Sequence, residues 1–536
     1  MNAVTGTRRL VWLYLRRDRV TGSFSVLFLV LLVVGVAKQY AGLLPTEQHR
    51  IDFAAQIRDN AALTAFTGQL YGDGLGNLTV WKIGDIAFTL VALMAVLNVV
   101  RHTRAEEESG RAELLGAGVI GRLAPMTASL IETGGLIVLS GALTALGLAV
   151  FRLDVAGAVM FGLALSAPGL VLAAVAAVAA QLSERARTAI AMAASVLGAG
   201  YMIRFLADGS GVLWLRWLSP NGWSHLAQPF GDNRWWVLLV PLAVTASLTI
   251  LAYRLNAHRD LGTGVLPARL GSAEATPGLR SPLSLAWRGQ RGQLLGWTAG
   301  LAALSTAGAG VAPGMRDLAD RSGEQIQELF RRYAATPDAT LSDTFVWMIA
   351  ISVAGIALLY PLLTTLRLRG EEISGRAELL LSTTAGRTRW ALSQLILAFA
   401  GSALILTVSG LAAGLGYGLA SGDLAAQLPR ILLAFLVMVP PVWCVGAVAM
   451  LAFGVAPKLA TALAWVVFVL VNVFGEALGP ILGINYWIAN QVIPFHHIPK
   501  VITGGQFTAT PLLILTALAV VLAAVGLTAF QRRDLT

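Results

Sequence analysis

The sequence predicts an all-α integral membrane protein whose twelve transmembrane helices form two six-helix halves. Three observations predict it. Only 13% of the 536 residues are charged and 56% are hydrophobic, against about 25% charged in a soluble domain. Apolar runs long enough to cross a bilayer, roughly 20 residues each, recur from one end of the chain to the other. One charged stretch also appears twice: EEESGRAELLGAGVIGR from Glu106 to Arg122, and EEISGRAELLLSTTAGR from Glu371 to Arg387.

The chain opens on VTGTRRLVWLYLRRDR, residues 4–19. At helical spacing Arg8, Arg9, Arg16 and Arg19 share one side, and Leu10, Val11 and Tyr14 lie on another. That is the pattern of a helix lying in a membrane interface. The apolar run that follows is too long for a cleaved signal and has no convincing cleavage site. In the first half the spans are expected at 21–44, 81–100, 123–151, 157–181, 189–206 and 235–255. In the second they are expected at 293–311, 344–366, 391–420, 428–453, 461–482 and 511–530. The halves are therefore 1–255 and 285–536. The linker 256–284 is polar and rich in Gly, Pro and Ser, as a flexible connector is.

Arg and Lys set the orientation. Most of the 39 basic residues fall on the side of the N-terminus, in the opening helix, the linker and both copies of the repeated stretch. Both termini are therefore expected in the cytoplasm. The net charge of +10 then serves anionic lipid headgroups and does not indicate nucleic acid. Loops 45–80 and 312–343 are expected outside, the second as an amphipathic helix followed by a polar turn.

The repetition extends further. Arg259-Asp260-Leu261 closes the sixth span and Arg533-Asp534-Leu535 the twelfth; Pro220 precedes the sixth and Pro494 the twelfth. Two halves of equal orientation predict a pseudo-twofold axis normal to the membrane.

Both charged copies fall between the second and third span of a half. Glu107 and Arg111 are four apart, as are Glu372 and Arg376, and would pair on a continuous helix. Alternatively Gly110 and Gly375 divide the stretch into two short helices. In either form a compact charged knob is expected, with Leu114-Leu115 or Leu379-Leu380 beneath it. A loop that only pins topology explains the arginines. It does not explain the repeated order of acid, Gly, Arg, acid and Leu-Leu, which points to a docking element used once per half.

The chain does not carry its own ATPase. Its four lysines, Lys38, Lys82, Lys458 and Lys500, never occur as Gly-Lys-Ser/Thr, which a phosphate-cradling loop requires. No soluble segment is long enough for a nucleotide-binding domain. Cys444 is the single cysteine and reads as a small apolar residue in the tenth span. His496 and His497 are adjacent and lack a helical ligand spacing, so no metal site is expected there. No Ser-His-Asp set is present either, and the chain reads as a non-enzyme.

Six-plus-six spans, the doubled E-E-x-S-G-R-A-E-L-L and the long outer loops resemble the membrane permease of a bacterial ABC exporter. Within that family the similarity is to the fused, two-half type of the tetronasin and polyketide-antibiotic exporters. The resemblance covers essentially the whole chain and implies a type-2 exporter fold in the plasma membrane. It implies two copies of a separate ATPase subunit, as a homodimer or a heterodimer, which would carry the ATP and magnesium, and a lipophilic substrate exported from the cell. It makes the repeated stretch a coupling segment. Glu106, Glu107, Ser109, Gly110, Arg111 and Glu113 would form one contact, and Glu371, Glu372, Ser374, Gly375, Arg376 and Glu378 the other. The copies differ at Glu108 against Ile373 and at 116–118 against 381–383, so the two contacts need not be equivalent. The resemblance further implies a pathway between the halves lined by the first, second and fifth spans. Phe28, Met94, Tyr201, Phe205, Met348 and Phe474 are the candidates.

Segments 207–234 and 483–510 are aromatic-rich, contain Pro and are too interrupted to span. They read either as short helices dipping into the outer leaflet or as an interfacial aromatic belt. Charges inside spans are costly; Glu132, Arg204 and Glu476 are the ones noted. Arg204 and Glu476 are candidates for a salt bridge between the halves, and Glu132 for a hydrogen-bonded acid or a proton carrier. The alternative reading is a proton-coupled secondary transporter of the major facilitator kind. Its loop motif carries a basic-Gly-basic cluster that is missing here.

Overall fold

The computed structural model describes residues 3–58, 61–116, 118, 120–260, 262–266, 274, 278–314, 336, 339–383, 385–472 and 491–533, and these contain helices and no strand. The chain divides into two compact units, Met1–Gly271 and Ser272–Thr536.

The first unit contains α1 (Thr7–Arg17), α2 (Arg19–Leu43), α3 (Glu47–Ile57), α4 (Ala61–Thr67), α5 (Leu75–His102), α6 (Arg104–Glu108), α7 (Arg111–Gly116), α8 (Ala124–Val150), α9 (Val155–Leu182), α10 (Ala186–Ser210), α11 (Pro220–Leu226) and α12 (Leu239–Ala257). The second contains α13 (Pro282–Val311), α14 (Leu341–Ala357), α15 (Leu359–Ile373), α16 (Arg376–Leu381), α17 (Arg387–Ser421), α18 (Leu424–Leu436), α19 (Val439–Val455), α20 (Ala460–Val469) and α21 (Ala509–Arg532).

Among the described residues, eleven helical stretches are long and apolar enough to cross a membrane. The span expected at 461–482 begins as the shorter apolar helix α20, and its second half lies outside the described residues. The span expected to begin at 293 starts eleven residues earlier. Ser281 caps α13 by accepting from the Ser284 N–H at 3.2 Å, and Pro282 occupies the first turn. That pairing of cap and proline starts a helix in a segment whose polarity hides it. Two spans are broken rather than straight. Pro361 follows the junction of α14 and α15, and Pro440-Pro441 opens α19; each proline removes a backbone donor and crowds the preceding turn.

Burial decides which helices are central. In the first unit 78% of the apolar window of α9 and 61% of that of α5 are buried, against 33% or less for α2, α8, α10 and α12. In the second, α18–α19 and α14–α15 hold the same places, at 72% and 67%. Lipid is as apolar as leucine, so small residues that let backbones approach decide the packing. The buried surface of α9 is accordingly rich in Gly and Ala, including Gly157, Gly162, Ala164, Gly169, Ala173 and Ala177. Gly454 of α19 meets Gly526 of α21 so closely that a Cβ on Gly454 would sit 2.1 Å from the Gly526 carbonyl oxygen.

The opening helix is amphipathic as expected. Leu10 and Tyr14 of α1 are buried against Ala124 and Ala128 of α8, while Arg8, Arg9, Arg16 and Arg19 are exposed. Cys444 is buried and its thiol donates to the Leu515 carbonyl.

Candidate functional site

Each copy of the repeated stretch forms two short helices around a glycine. Gly110 has φ +74° and Gly375 has φ +70°, in the left-handed region that suits glycine. The two turns use the same hydrogen bonds. The N–H of Gly110 donates to the Glu107 carbonyl and that of Gly375 to the Glu372 carbonyl, both at 3.1 Å. The Ser109 and Ser374 hydroxyls donate to the carbonyls of Glu106 and Glu371 at 3.1 and 3.3 Å. The N–H groups of Glu113 and Glu378 donate to Gly110 and Gly375 at 3.2 Å.

This geometry selects the two-helix form, one of the two the sequence allowed, and corrects a further expectation in part. The continuous-helix pairs Glu107–Arg111 and Glu372–Arg376 do not form, because the glycine turn places each arginine on a second helix with a different axis. Arg111 lies instead 3.6 Å from Glu106, and Arg376 donates to Ser374. The first leucine of each pair is not beneath the knob either, whereas Leu380 is half-buried and the Leu115 side chain lies outside the described residues. Leu114 is 78% and Leu379 73% exposed, and Ala377 is the residue buried at the base of the second copy.

The paired acids face into their own unit. Glu106 accepts from Arg17 at 2.5 Å. Glu107 accepts from Arg104 at 2.8 Å and from two nitrogens of Arg259 at 2.5 and 2.8 Å. Glu371 accepts from Arg367 at 2.8 Å and from the Trp390 indole at 3.3 Å. Glu372 accepts from Arg369 at 3.2 Å and from Arg533 at 2.9 and 3.0 Å. The residues turned outward alike in both copies are Ser109, Arg111, Glu113 and Leu114 in one and Ser374, Arg376, Glu378 and Leu379 in the other; Glu108 and Ile373, where the copies differ, are exposed as well.

A built Cβ at Gly375 or at Gly110 meets nothing within 4 Å. Gly375→Ala therefore isolates the backbone conformation and should cost about 1–2 kcal/mol. Thermal unfolding of the variant in detergent measures this, and an unshifted melting temperature contradicts it.

A second buried polar group adjoins the first knob. Asp18 lies 2.5 Å from His102 and 2.9 Å from Arg101. Tyr14 stacks on His102 with ring centroids 4.2 Å apart and donates to its carbonyl. Burial pushes the Tyr14 hydroxyl up to about 12, with Glu106 adding to the shift, so it stays a donor. Glu132 accepts from Asn98 at 2.5 Å and from Thr133 at 3.3 Å. Asp18, His102 and Glu132 each bring one ligand-type atom within 4.8 Å of the others. Asp18 sits in the bend between α1 and α2, His102 ends α5 and Glu132 lies within α8, so no local ligand spacing in the sequence marks this group.

Near the start of α5, Arg204 is fully buried between Asp85 at 3.0 Å and Asp208 at 2.9 Å. Asp208 also pairs with Arg216, which reaches Gln69 and Tyr71. His225 and Asn221 reach the other oxygen of Asp85 at 3.2 and 3.3 Å. Arg204 was a candidate partner for Glu476; its carboxylate partners are Asp85 and Asp208, and Glu476 lies outside the described residues. Asp85 was missed although it falls within the expected span 81–100, and the rule that flagged Glu132 applies to it equally. Segment 207–234 supplies this site with short helices, and α11 is buried at Asn221–His225.

Each described pathway candidate has its own surroundings. Phe28 stacks on Phe24, and Tyr201 lies beneath the Arg204 guanidinium. Phe205 is buried edge-on against Phe66. Met94 and Met348 are half-buried, and Phe474 lies outside the described residues.

Long apolar helices with small-residue crossings define a multi-pass membrane protein, here one that presents a charged knob in each unit. The family described as "Multidrug efflux system permease Rv1217c, C-terminal domain" matches residues 279–531. Along 537 aligned residues the chain is 42% identical to the multidrug efflux system permease protein Rv1217c of Mycobacterium tuberculosis, covering 99% of this chain and 95% of that one. The chain belongs to this family of efflux permeases.

Proposed function

We propose that the chain is the membrane permease of an ATP-driven ABC exporter of the fused, tetronasin-exporter type, working with two copies of a separately encoded ATPase subunit. The observation that carries the reading is the doubled knob. Two stretches 265 positions apart in sequence adopt the same glycine turn and turn the same Ser, Arg, Glu and Leu outward. An exposed leucine rimmed by charges suits a protein partner. Because the chain lacks a phosphate-cradling loop, nucleotide hydrolysis belongs to that partner. In this reading both knobs face the cytoplasm, ATP binding on the partner moves them, and lipophilic compounds leave the cell. The relative's name, a multidrug efflux permease, supports a broad range of such compounds, hydrophobic antibiotics among them.

The test is co-purification of the tagged chain with the ATPase encoded beside it, comparing wild type with Leu114→Asp plus Leu379→Asp. These side chains are exposed, so folding should survive. The wild type should bring down two ATPase copies, and the variant roughly tenfold less or lower, as loss of a contact anchor predicts. Folded wild type that brings down no ATPase removes the reading.

A second reading, proton-coupled export, is favoured by one observation: Glu132 is buried and held by Asn98 and Thr133 rather than by an arginine. Export that collapses with the proton gradient while ATP persists, and that is lost in Glu132→Gln, selects it.

A further inference from the structure

The sequence repeats two things, the charged stretch and the Arg-Asp-Leu after the last span of each half, and the structure joins them. In the first unit Glu107 grips the Arg259 guanidinium through both carboxylate oxygens, at 2.5 and 2.8 Å. In the second Glu372 grips Arg533 the same way, at 2.9 and 3.0 Å. The Gly-Arg that ends each copy completes the contact. Arg122 donates to the backbone carbonyls of Asn256, at 2.8 Å, and of Arg259 itself. Arg387 donates to the backbone carbonyl of Arg533 at 3.0 Å. One arginine is thus held by its side chain from the front of the stretch and by its carbonyl from the back, once in each unit.

Arg533 follows directly on α21 and Arg259 lies just beyond the His258 cap of α12, where the final helix carbonyls lack helical partners. Neither side chain is free to slide. Arg259 also donates to Gln181 of α9 at 2.7 Å and to the Thr263 carbonyl at 2.8 Å. Arg533 lies over the rings of Phe453 and Phe530, 4.8 and 5.2 Å from their centres. The side chains of Glu372 and Arg533 are 3% and 14% exposed, and those of Glu107 and Arg259 are 12% and 5% exposed. Two parallel charge-assisted bonds in such a setting fix direction as well as distance, which lysine cannot reproduce.

We infer that Glu107–Arg259 with Arg122, and Glu372–Arg533 with Arg387, are the clasps through which movement of each knob is passed to the last transmembrane helix of its unit. Arg259 and Arg533 are positioning residues. In this role they act through the knob, and they make the knob and the helix end one mechanical body. The inference rests on the ATPase-docking reading. It also accounts for the residues of the repeat that docking leaves unexplained: the inward second glutamate and the closing Gly-Arg.

The test compares wild type, Arg259→Lys plus Arg533→Lys, and the charge exchange Glu107→Arg/Arg259→Glu with Glu372→Arg/Arg533→Glu. Each is expressed with the ATPase encoded beside it. Bound ATPase, ATP hydrolysis, melting temperature and ethidium export are measured on each. The lysine variant should still bind ATPase and hydrolyse ATP while ethidium exported per ATP falls roughly tenfold, and the charge exchange should fall at least as far, because Arg104 and Arg369 then face an arginine and the Thr263 carbonyl a glutamate. A clasp that serves stability alone lowers the folded amount and leaves the ratio unchanged; that result overturns the inference, as does normal export by the lysine variant. Absence of ATPase on the folded wild type instead removes the docking reading on which the inference rests.

Discussion

Arg204→Leu is expected to cripple folding of the first unit. The substitution leaves Asp85 and Asp208, 4% and 5% exposed, without the guanidinium that lies between them at 3.0 and 2.9 Å. Removing one partner of a buried pair costs about 3–5 kcal/mol, because the remaining charge stays desolvated, and within a membrane-spanning bundle water does not replace it. The loss is not total, since Arg216 still holds Asp208, and His225 and Asn221 still reach Asp85. A double variant, Arg204→Leu with Asp85→Asn, should therefore recover part of the stability, as removal of both partners of a pair does. Melting in detergent checks both statements. An unshifted single variant, or a double variant worse than the single, contradicts the assigned network.

Gly454→Val is expected to separate α19 from α21. Even a methyl group at Gly454 would lie 2.1 Å from the Gly526 carbonyl oxygen and 2.9 Å from its carbon. The obstacle is helix backbone, which no side-chain rotation relieves. The reverse approach is as close: a Cβ on Gly526 would lie 2.6 Å from the Met450 carbonyl oxygen. Overpacking costs typically about 1–3 kcal/mol, occasionally more, and in lipid no hydrophobic gain offsets it. The end of α21 also carries Arg533, so the variant should lower ethidium export as well as the melting temperature. Wild-type melting of folded Gly454→Val would contradict the crossing.

Much of the helical pattern was legible because hydropathy is a property of consecutive residues. The long spans α2, α5, α8, α9, α10, α12, α17 and α21 lie where apolar runs announce them. Where a start was misplaced, as at Pro282, a capping serine worked against the local polarity. In the knob the residue types left two forms open, and the choice fell to Gly110 and Gly375, whose positive φ ends one helix and tilts the next. The pairing of Arg204 was not legible. Asp85 precedes it by 119 positions, and a span with a single carboxylate gives no sign of which arginine it meets. That Glu132, noted as a charge inside a span, meets Asp18 and His102 was not legible for the same reason.

By itself, then, the sequence determined a helical membrane protein with a charged sentence and an Arg-Asp-Leu ending each stated twice. Composition and repetition are carried along the chain and need no folding to be read. The tertiary structure alone decided that the two repeats touch, with Glu107 on Arg259 and Glu372 on Arg533. It also decided that the acids turn inward while Leu114 and Leu379 turn out. The physical reason is that a buried charge must find its counter-charge in space, and partners separated by some 150 residues are chosen by helix packing rather than by spacing.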